Sequence, residues 1–249
     1  MEYQQTFQRY ETKYLLTMQE KATMLQAIAP YMQLDQYGRT TVRSLYFDTE
    51  NYQIIRHSLE RPAYREKLRI RSYKTAGPED MVFVEIKKKY HSVVYKRRLA
   101  LPEKQVRQSF TTGQPLPVHS QIGNEIAYMR QCYGPLRPAV FLSAEREAYF
   151  ARDGGELRIT FDENILYRDS DFSLSSPAYG KPLLEPEQSL MEIKAPYALP
   201  LWLCHAIHDC GIRRATFSKY GTAYRRMQEE KFHANDERRT FYEPVQRVV

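Results

Sequence analysis

The segment Lys67-Leu-Arg-Ile-Arg-Ser-Tyr73 places a basic residue at alternate positions between apolar ones. Alternate residues of a β-strand face opposite sides of a sheet, so this strand would have one apolar and one basic face. Similar alternation recurs in the segments 83–89, 95–99, 157–162 and 190–194. These faces carry mostly Arg and Lys, whereas a solvent-exposed face usually mixes charges of both signs. The pattern therefore favours a site for a polyanion over a solvated surface.

Composition indicates one globular domain. The chain has 249 residues, of which 42% are hydrophobic and 27% charged, and this excludes wholesale disorder. Its net charge of +7 is compatible with phosphate, nucleotide or nucleic-acid partners. The N-terminus lacks a signal-peptide core, and no apolar run approaches the length of a transmembrane segment. Because the three cysteines also suit a reducing compartment, a cytoplasmic location is expected.

Strands outnumber helices in the predicted order of elements. Predicted strands cover about 5–16, 39–48, 64–74, 81–89, 92–101, 138–151, 156–162, 164–168 and 188–194. Predicted helices cover about 17–31, 52–59, 103–110, 119–133, 199–210 and 218–231. We predict an α+β fold whose antiparallel strands form a closed β-barrel with a polar, basic lumen, while the helices pack outside. Residues 1–231 would form a single domain and 232–249 a C-terminal tail.

The charged faces would converge inside such a barrel. Confined like charges are costly without a compensating anion, and triphosphate or polyphosphate suits such a channel because Arg binds phosphate oxygens bidentately. Glu85 and Glu192 each stand in a Glu-Ile-Lys triplet, where a carboxylate could form an ion pair or hold a divalent metal. For Glu85 the ion pair is favoured. The predicted lining is Arg9, Glu11, Lys13, Arg69, Arg71, Glu85, Lys87, Lys96, Arg146, Arg158, Asp162, Glu192 and Lys194.

An ordered set of motifs resembles the VTC (vacuolar transporter chaperone) polyphosphate polymerase domain of the CYTH-like triphosphate tunnel metalloenzymes. Each motif alone is weak, but their order across residues 9–220 is fairly specific. The motifs are Arg9-Tyr-Glu-Thr-Lys-Tyr14, Ser44-Leu-Tyr-Phe-Asp48, Leu68-Arg-Ile-Arg71, Val84-Glu-Ile-Lys87, Lys96-Arg-Arg98, Arg146, Leu157-Arg-Ile-Thr-Phe-Asp162, Met191-Glu-Ile-Lys194 and Phe217-Ser-Lys-Tyr220.

The resemblance implies a triphosphate tunnel that transfers the γ-phosphoryl group of ATP onto a growing polyphosphate chain. It also implies a divalent metal, Mn²⁺ or Mg²⁺, held by Glu192. A membrane protein would be the partner if the reaction is coupled to transport. We predict catalytic roles in phosphate contact for Lys13, Arg69, Arg71, Lys87, Arg146 and Arg158. Phosphate or nucleotide binding is predicted for Arg9, Lys96, Lys194 and Lys219.

Two departures qualify the expected activity. Ala144 stands where family members commonly carry a Tyr, and the Glu-x-Glu-x-Lys start of CYTH triphosphatases reads Arg9-x-Glu11-x-Lys13 here. The second departure favours the polymerase over hydrolysis. The alternatives are a non-catalytic module that binds or senses polyphosphate, triphosphate or nucleotide, and a tunnel-type triphosphatase. Nucleic acid is not favoured as a partner, and Cys204 and His208 are interpreted as helix residues without a metal.

Overall fold

The structure, a computed structural model, describes residues 6–91, 93–196 and 198–240, with side chains from residue 10 to 233. Within these ranges the chain forms ten strands and six helices. The strands are β1 (Thr6–Thr17), β2 (Met32–Leu34), β3 (Thr40–Asp48), β4 (Tyr64–Ser72), β5 (Met81–Tyr90), β6 (Val93–Pro102), β7 (Arg137–Ala151), β8 (Arg158–Arg168), β9 (Lys181–Pro182) and β10 (Gln188–Ala195). The helices are α1 (Met18–Ile28), α2 (Gln53–Leu59), α3 (Glu103–Thr112), α4 (Gln121–Tyr133), α5 (Leu201–Asp209) and α6 (Lys219–Thr240).

The ten strands form one antiparallel sheet in the order β2-β7-β3-β4-β5-β6-β1-β10-β8-β9. β8 also pairs with β7, from Phe141 opposite Arg168 to Phe150 opposite Arg158. Six strands therefore have two hydrogen-bonded neighbours each and β7 and β8 have three, whereas β2 pairs only with β7 and β9 only with β8 among the described strands. The β7–β8 register shifts between Ser143 and Glu145.

Three hydrophobic clusters join the helices to the sheet, and the first two lie on its outer face. Val106 of α3 and Ile126 of α4 pack with apolar residues of β3, β4 and β5. α1 and α5 cover β1, β8 and β10, with Leu203 fully buried. Tyr220 of α6 belongs to the third cluster, together with Ile55 of α2 and with Tyr46 of β3, which lies on the inner face. Because the apolar side chains of the first two clusters take the outer face, the charged side chains that alternate with them lie on the inner face.

Local capping sets the ends of two helices near the sheet. Thr17 and Glu20 form the predicted capping box of α1, with the Thr17 hydroxyl accepting from the Glu20 amide. The fully buried Asp48 carboxylate accepts hydrogen bonds from the amides of Ile54 and Ile55 at 2.8 and 3.0 Å. The same carboxylate accepts the Tyr220 hydroxyl at 2.7 Å, so it connects β3 to α2 and α6.

The structure confirms the predicted α+β class with a large antiparallel sheet, but α6 packs against Tyr46 of the inner face, so not every helix lies outside as predicted. The two strands predicted at 156–162 and 164–168 are one strand, β8, which continues through Asn164. The short strands β2 and β9 were not predicted, since three and two residues are too few to show a period. α6 extends beyond its predicted end to Thr240, and residues 241–249 of the predicted tail lie outside the described residues.

Candidate functional site

Charged side chains from seven strands and the start of α6 form a cluster on the inner face of the sheet. We call it the cationic cluster. Among the described side chains it contains nine Lys or Arg residues but four carboxylates, so five positive charges are in excess. Its members are Lys13, Lys67, Arg69, Arg71, Lys87, Lys96, Arg146, Lys194 and Lys219, with Glu11, Glu85, Asp162 and Glu192.

Glu85 organises one side of the cationic cluster. Its side chain is fully buried, and its two carboxylate oxygens contact Arg69 Nε at 2.7 Å and Lys96 Nζ at 2.6 Å. Arg71 Nε lies 3.8 Å away and donates to Ser44 Oγ at 3.2 Å. Burial alone would raise the pKa of Glu85, but Arg69, Lys96 and Arg71 outweigh it and hold the pKa well below its usual range. The predicted ion pair of Glu85 is confirmed.

Glu192 occupies the opposite side, among four cations. Its oxygens lie 3.0 Å from Lys13 Nζ, 3.1 Å from Lys219 Nζ, 3.3 Å from Lys194 Nζ and 4.0 Å from Arg146 Nη2. The register explains the first contact, because Glu192 is directly opposite Lys13 in the β1–β10 pair. Burial opposes ionisation, yet Lys13 and the other cations keep the pKa of Glu192 well below its usual value.

Asp162 and Glu11 extend this network to neighbouring strands. Asp162, which is fully buried, accepts a bidentate pair of bonds from Arg146 at 2.5 and 2.6 Å and contacts Lys219 Nζ at 2.6 Å. Glu11 contacts Lys87 at 2.8 Å and Lys13 at 3.4 Å. Each buried carboxylate therefore holds two or more cations in place.

The carboxylates do not neutralise the cluster fully. Burial, followed by repulsion from Lys87 and Lys13, lowers the pKa of Lys67 to about 8. Burial also lowers the pKa of Lys96 to about 7, with Arg71 and Arg69 adding repulsion that the Glu85 contact only partly offsets. For Lys194, burial outweighs the attraction of Glu192 and lowers the pKa to about 8. A bound polyanion would raise the pKa of each of these lysines.

Two members of the site were missed in the sequence. Lys67 belongs to the alternating segment but was omitted from the predicted lining, although its Nζ donates to Ser218 Oγ at 3.0 Å. Tyr46 accepts a bond from Arg69 Nη1 at 2.8 Å and stacks on Tyr220 with ring centroids 4.8 Å apart. The alternation of Ser44, Tyr46 and Asp48 along β3 could have indicated that Tyr46 belongs to the site, since Ser44 and Tyr46 share the inner face.

Most predicted site residues meet in the cationic cluster, but Arg158 does not. Arg158 is the first residue of β8 and is directly opposite Lys194 of the cluster, but its side chain is 47% exposed and lies 3.6 Å from Asp35. Arg9 lies in β1, but its side chain is outside the described side chains. The members brought together as predicted are Lys13, Arg69, Arg71, Lys87, Lys96, Arg146, Lys194, Lys219 and Glu192.

A small cavity lies inside the cationic cluster beside Ala144. Its volume is about 20 Å³, which is room for about one water molecule. Arg71, Arg146 and Lys219 line it together with Tyr46. The alanine that departs from the family pattern therefore lines the same cavity as three of the cations.

Two negative findings apply to the described part of the chain. No group of three or more His, Cys, Asp or Glu side chains there is arranged to hold a metal ion. Among the described helices, none combines the length and apolar character needed to cross a membrane.

One family model matches most of the chain. The family model described as the VTC domain matches residues 8–228. The chain belongs to the VTC domain family. This confirms the resemblance predicted from the ordered motifs, which end within the matched range. No curated protein matches this chain.

Several solved structures are similar to this chain at low sequence identity. A "putative adenylate cyclase" from Bacillus halodurans is 13% identical with a TM-score of 0.54, covering 86% of this chain and 96% of that one. A "putative adenylate cyclase" from Vibrio parahaemolyticus gives 10% identity and a TM-score of 0.46, over 87% and 98% of the two chains. The Mimivirus capping enzyme triphosphatase is 8% identical with a TM-score of 0.35, covering 80% of this chain and 85% of that one. The first similarity shows that the VTC domain described here and that protein share a fold.

Proposed function

We propose that this VTC domain is an ATP-dependent polyphosphate polymerase, which transfers the γ-phosphoryl group of ATP to the end of a polyphosphate chain. The observation that carries the proposal is the cationic cluster, with nine buried or half-buried cations and four carboxylates. A polyanion supplies the negative charge that this cluster lacks, and chains of phosphate have the required charge density.

The strand pairings support a closed tunnel around the cluster. β8 pairs with β10 on one side and with β7 on the other, so the series β7-β3-β4-β5-β6-β1-β10-β8 returns to β7. A ring of paired strands with alternating side chains would direct one set inward and the other outward. An extended, unbranched chain of phosphates fits such a lumen better than a globular ligand does.

The carboxylates would act as organisers of the phosphate-binding cations. Glu85 fixes Arg69, and Asp162 fixes Arg146 in a bidentate pair, so both guanidinium groups have a defined orientation before the substrate arrives. Phosphoryl transfer depends mainly on aligning the reacting groups and neutralising their charge. Arg71 and Lys219, which line the inner cavity, would contact the transferred group.

A divalent metal at Glu192 would be held mainly by the substrate, because Glu192 is a single carboxylate among four cations. Mg²⁺ and Mn²⁺ prefer oxygen ligands, and Mg²⁺ commonly uses one or two carboxylates together with substrate phosphates and water. Glu192 is a single buried carboxylate held by Lys13 and Lys219, so it would supply one protein ligand while phosphates supply others. Such an ion would neutralise charge that develops on the bridging oxygens.

The acceptor requires little activation by the protein. The terminal phosphate of polyphosphate is already an anionic nucleophile, so its oxygen can attack the γ-phosphorus of ATP while the bond to the β-phosphate oxygen breaks and ADP leaves. A strong general base is therefore not needed. The cations around Glu192 and Glu85 would hold donor and acceptor in line against their mutual repulsion.

The test is incubation of the purified chain with ATP and Mn²⁺, followed by gel analysis of long-chain polyphosphate and chromatographic measurement of ADP. We expect polymer and ADP from the wild type and a loss of more than tenfold in Arg71→Met. Arg107→Met is the matched control, because Arg107 is an exposed residue of α3 that pairs with Glu103. Absence of polymer, or equal synthesis by both variants, would refute the polymerase proposal.

The products also separate the two alternative functions. A tunnel-type triphosphatase would release orthophosphate without extending a chain. A binding or sensor module would hold tripolyphosphate with salt-sensitive affinity and consume no ATP, because the same cations can bind phosphate without turnover.

A further inference from the structure

A second group of polar side chains is buried on the outer face of the sheet. Arg43 of β3 is directly opposite Ser72 of β4 and Ser143 of β7. Arg43 is 8% exposed, and the two serines are 1% and 2% exposed. The alternation places all three on the face of Leu45, away from the cationic cluster.

The donors of this group lack acceptors within the described part of the chain. Arg43 Nε, Ser72 Oγ and Ser143 Oγ are buried without a hydrogen-bond partner. The Arg43 guanidinium makes one long contact, from Nη1 to the Thr41 carbonyl oxygen at 3.4 Å, and no ion pair with a described carboxylate. A buried, unpaired charge is among the costliest features of a folded protein, and Arg cannot relieve it by losing its proton.

The nearest other cation increases this need for an anion. Arg168 is 5% exposed, but it donates to four backbone carbonyl oxygens, including that of Asp171 at 2.7 Å. Arg168 also lies 3.7 Å from the Asp171 carboxylate, so its charge is compensated. Arg43 has no such set of acceptors. Burial and repulsion from Arg168 both lower the pKa of Arg43.

We propose that Arg43, Ser72 and Ser143 form a binding site for a small tetrahedral oxyanion, orthophosphate or sulfate, separate from the cationic cluster. The three residues come from adjacent strands, whose spacing of about 4.8 Å places the serines on either side of the arginine. An oxyanion above Arg43 would accept from Nε and from both hydroxyl groups, and its charge would compensate the guanidinium.

The outer site lies directly behind a contact of the cationic cluster. Arg43 is followed by Ser44 and Ser72 is preceded by Arg71, and the Arg71–Ser44 hydrogen bond is on the inner face. Occupation of the outer site would therefore stiffen the two strands that position Arg71. The site itself does not depend on the proposed polymerase activity, and it would exist equally in a module that only binds phosphate.

Crystals soaked in selenate can locate the anion by anomalous scattering, because the method separates the outer site from the cationic cluster. We expect an anomalous peak within hydrogen-bond distance of Arg43 Nε and of both serine hydroxyls in the wild type, and none there in Arg43→Met. In solution, orthophosphate or sulfate should stabilise the wild type in two steps, one for each site. Arg43→Met should keep the step that reports binding in the tunnel and lose the step that saturates at the lower anion concentration. Its apparent affinity should fall by about tenfold or more.

A double variant that carries Ser72→Ala and Ser143→Ala keeps the test decisive if Arg43→Met fails to fold. Arg107→Met is again the control. Stabilisation by orthophosphate but not sulfate, or the reverse, identifies the natural anion. Ordered water around Arg43 with no selenate peak would overturn the proposal. A selenate peak at Arg43 would also overturn the proposal if orthophosphate and sulfate stabilise the variants and the wild type equally in solution, because the ion would then be an adventitious ion only.

Discussion

Glu85→Gln tests whether the carboxylates organise the cationic cluster. The substitution keeps the size of the side chain but removes the charge that contacts Arg69 at 2.7 Å and Lys96 at 2.6 Å, with Arg71 at 3.8 Å. Since Glu85 is fully buried, water cannot replace it as the partner of these cations. We expect the variant to fold with markedly lower stability.

The magnitude follows from breaking a buried ion pair on one side, which costs about 3–5 kcal/mol. For a protein of this size that loss corresponds to a fall in Tm of roughly 6–20 °C. The pKa of Glu85 is depressed in the folded protein, so its contribution is present above the ordinary glutamate pKa and is lost only as pH falls through the depressed value. The difference between variant and wild type should therefore be complete at neutral pH.

Urea denaturation at neutral pH measures the free energy of unfolding, with Glu79→Gln as the control. Glu79 pairs with Lys104 at 2.6 Å, but both side chains are more than half exposed, so its loss should cost no more than about 1 kcal/mol. Tripolyphosphate should raise the Tm of Glu85→Gln more than that of the wild type, because the ligand replaces the missing negative charge. Equal stability of the two variants, or equal stabilisation by tripolyphosphate, would refute the assigned role of Glu85.

Three further predictions concern proton linkage and the support of the site. Because Lys96 and Lys67 have pKa values of about 7 and about 8, the affinity for tripolyphosphate should fall roughly tenfold between about pH 6.5 and 8.5. Binding should take up protons, which calorimetry in two buffers detects, and an affinity that does not change with pH would contradict this. Arg69 and nearby cations outweigh burial and lower the pKa of Tyr46 to about 8. Tyr46→Phe should therefore abolish a tyrosinate absorbance change near that pH and cost about 1 kcal/mol of stability. An unchanged absorbance titration in the variant would contradict this assignment. Asp48→Ala removes the acceptor at the start of α2 and should cost roughly 3 kcal/mol in urea denaturation; a loss below about 1 kcal/mol would show that water replaces it.

Strand alternation predicts which face a residue lies on, but not whether that residue belongs to the site. Alternation assigns Lys67, Arg69 and Arg71 to one face because a strand has a period of two, and their strand confirms this. It cannot show where along the strand a site ends. Arg158 has the correct parity but stands near the start of β8, where Asp35 is its partner.

The partners of the carboxylates depended on strand order. Glu85 was expected to form an ion pair, and it does so with Arg69 and Lys96 from neighbouring strands. Glu192 meets Lys13 through the β1–β10 register and Lys219 through the start of α6. These pairs join residues far apart in the sequence, so no local spacing can predict them.

The sequence by itself determined the α+β class, the faces of the strands and the VTC domain family, because these depend on local period and on ordered motifs. Only the tertiary structure decided which charges pair, that Tyr46 supports Arg69, and that Arg43 is buried between two serines. The physical reason is that burial and electrostatic partners arise from strand order and register, which bring together residues from opposite ends of the chain.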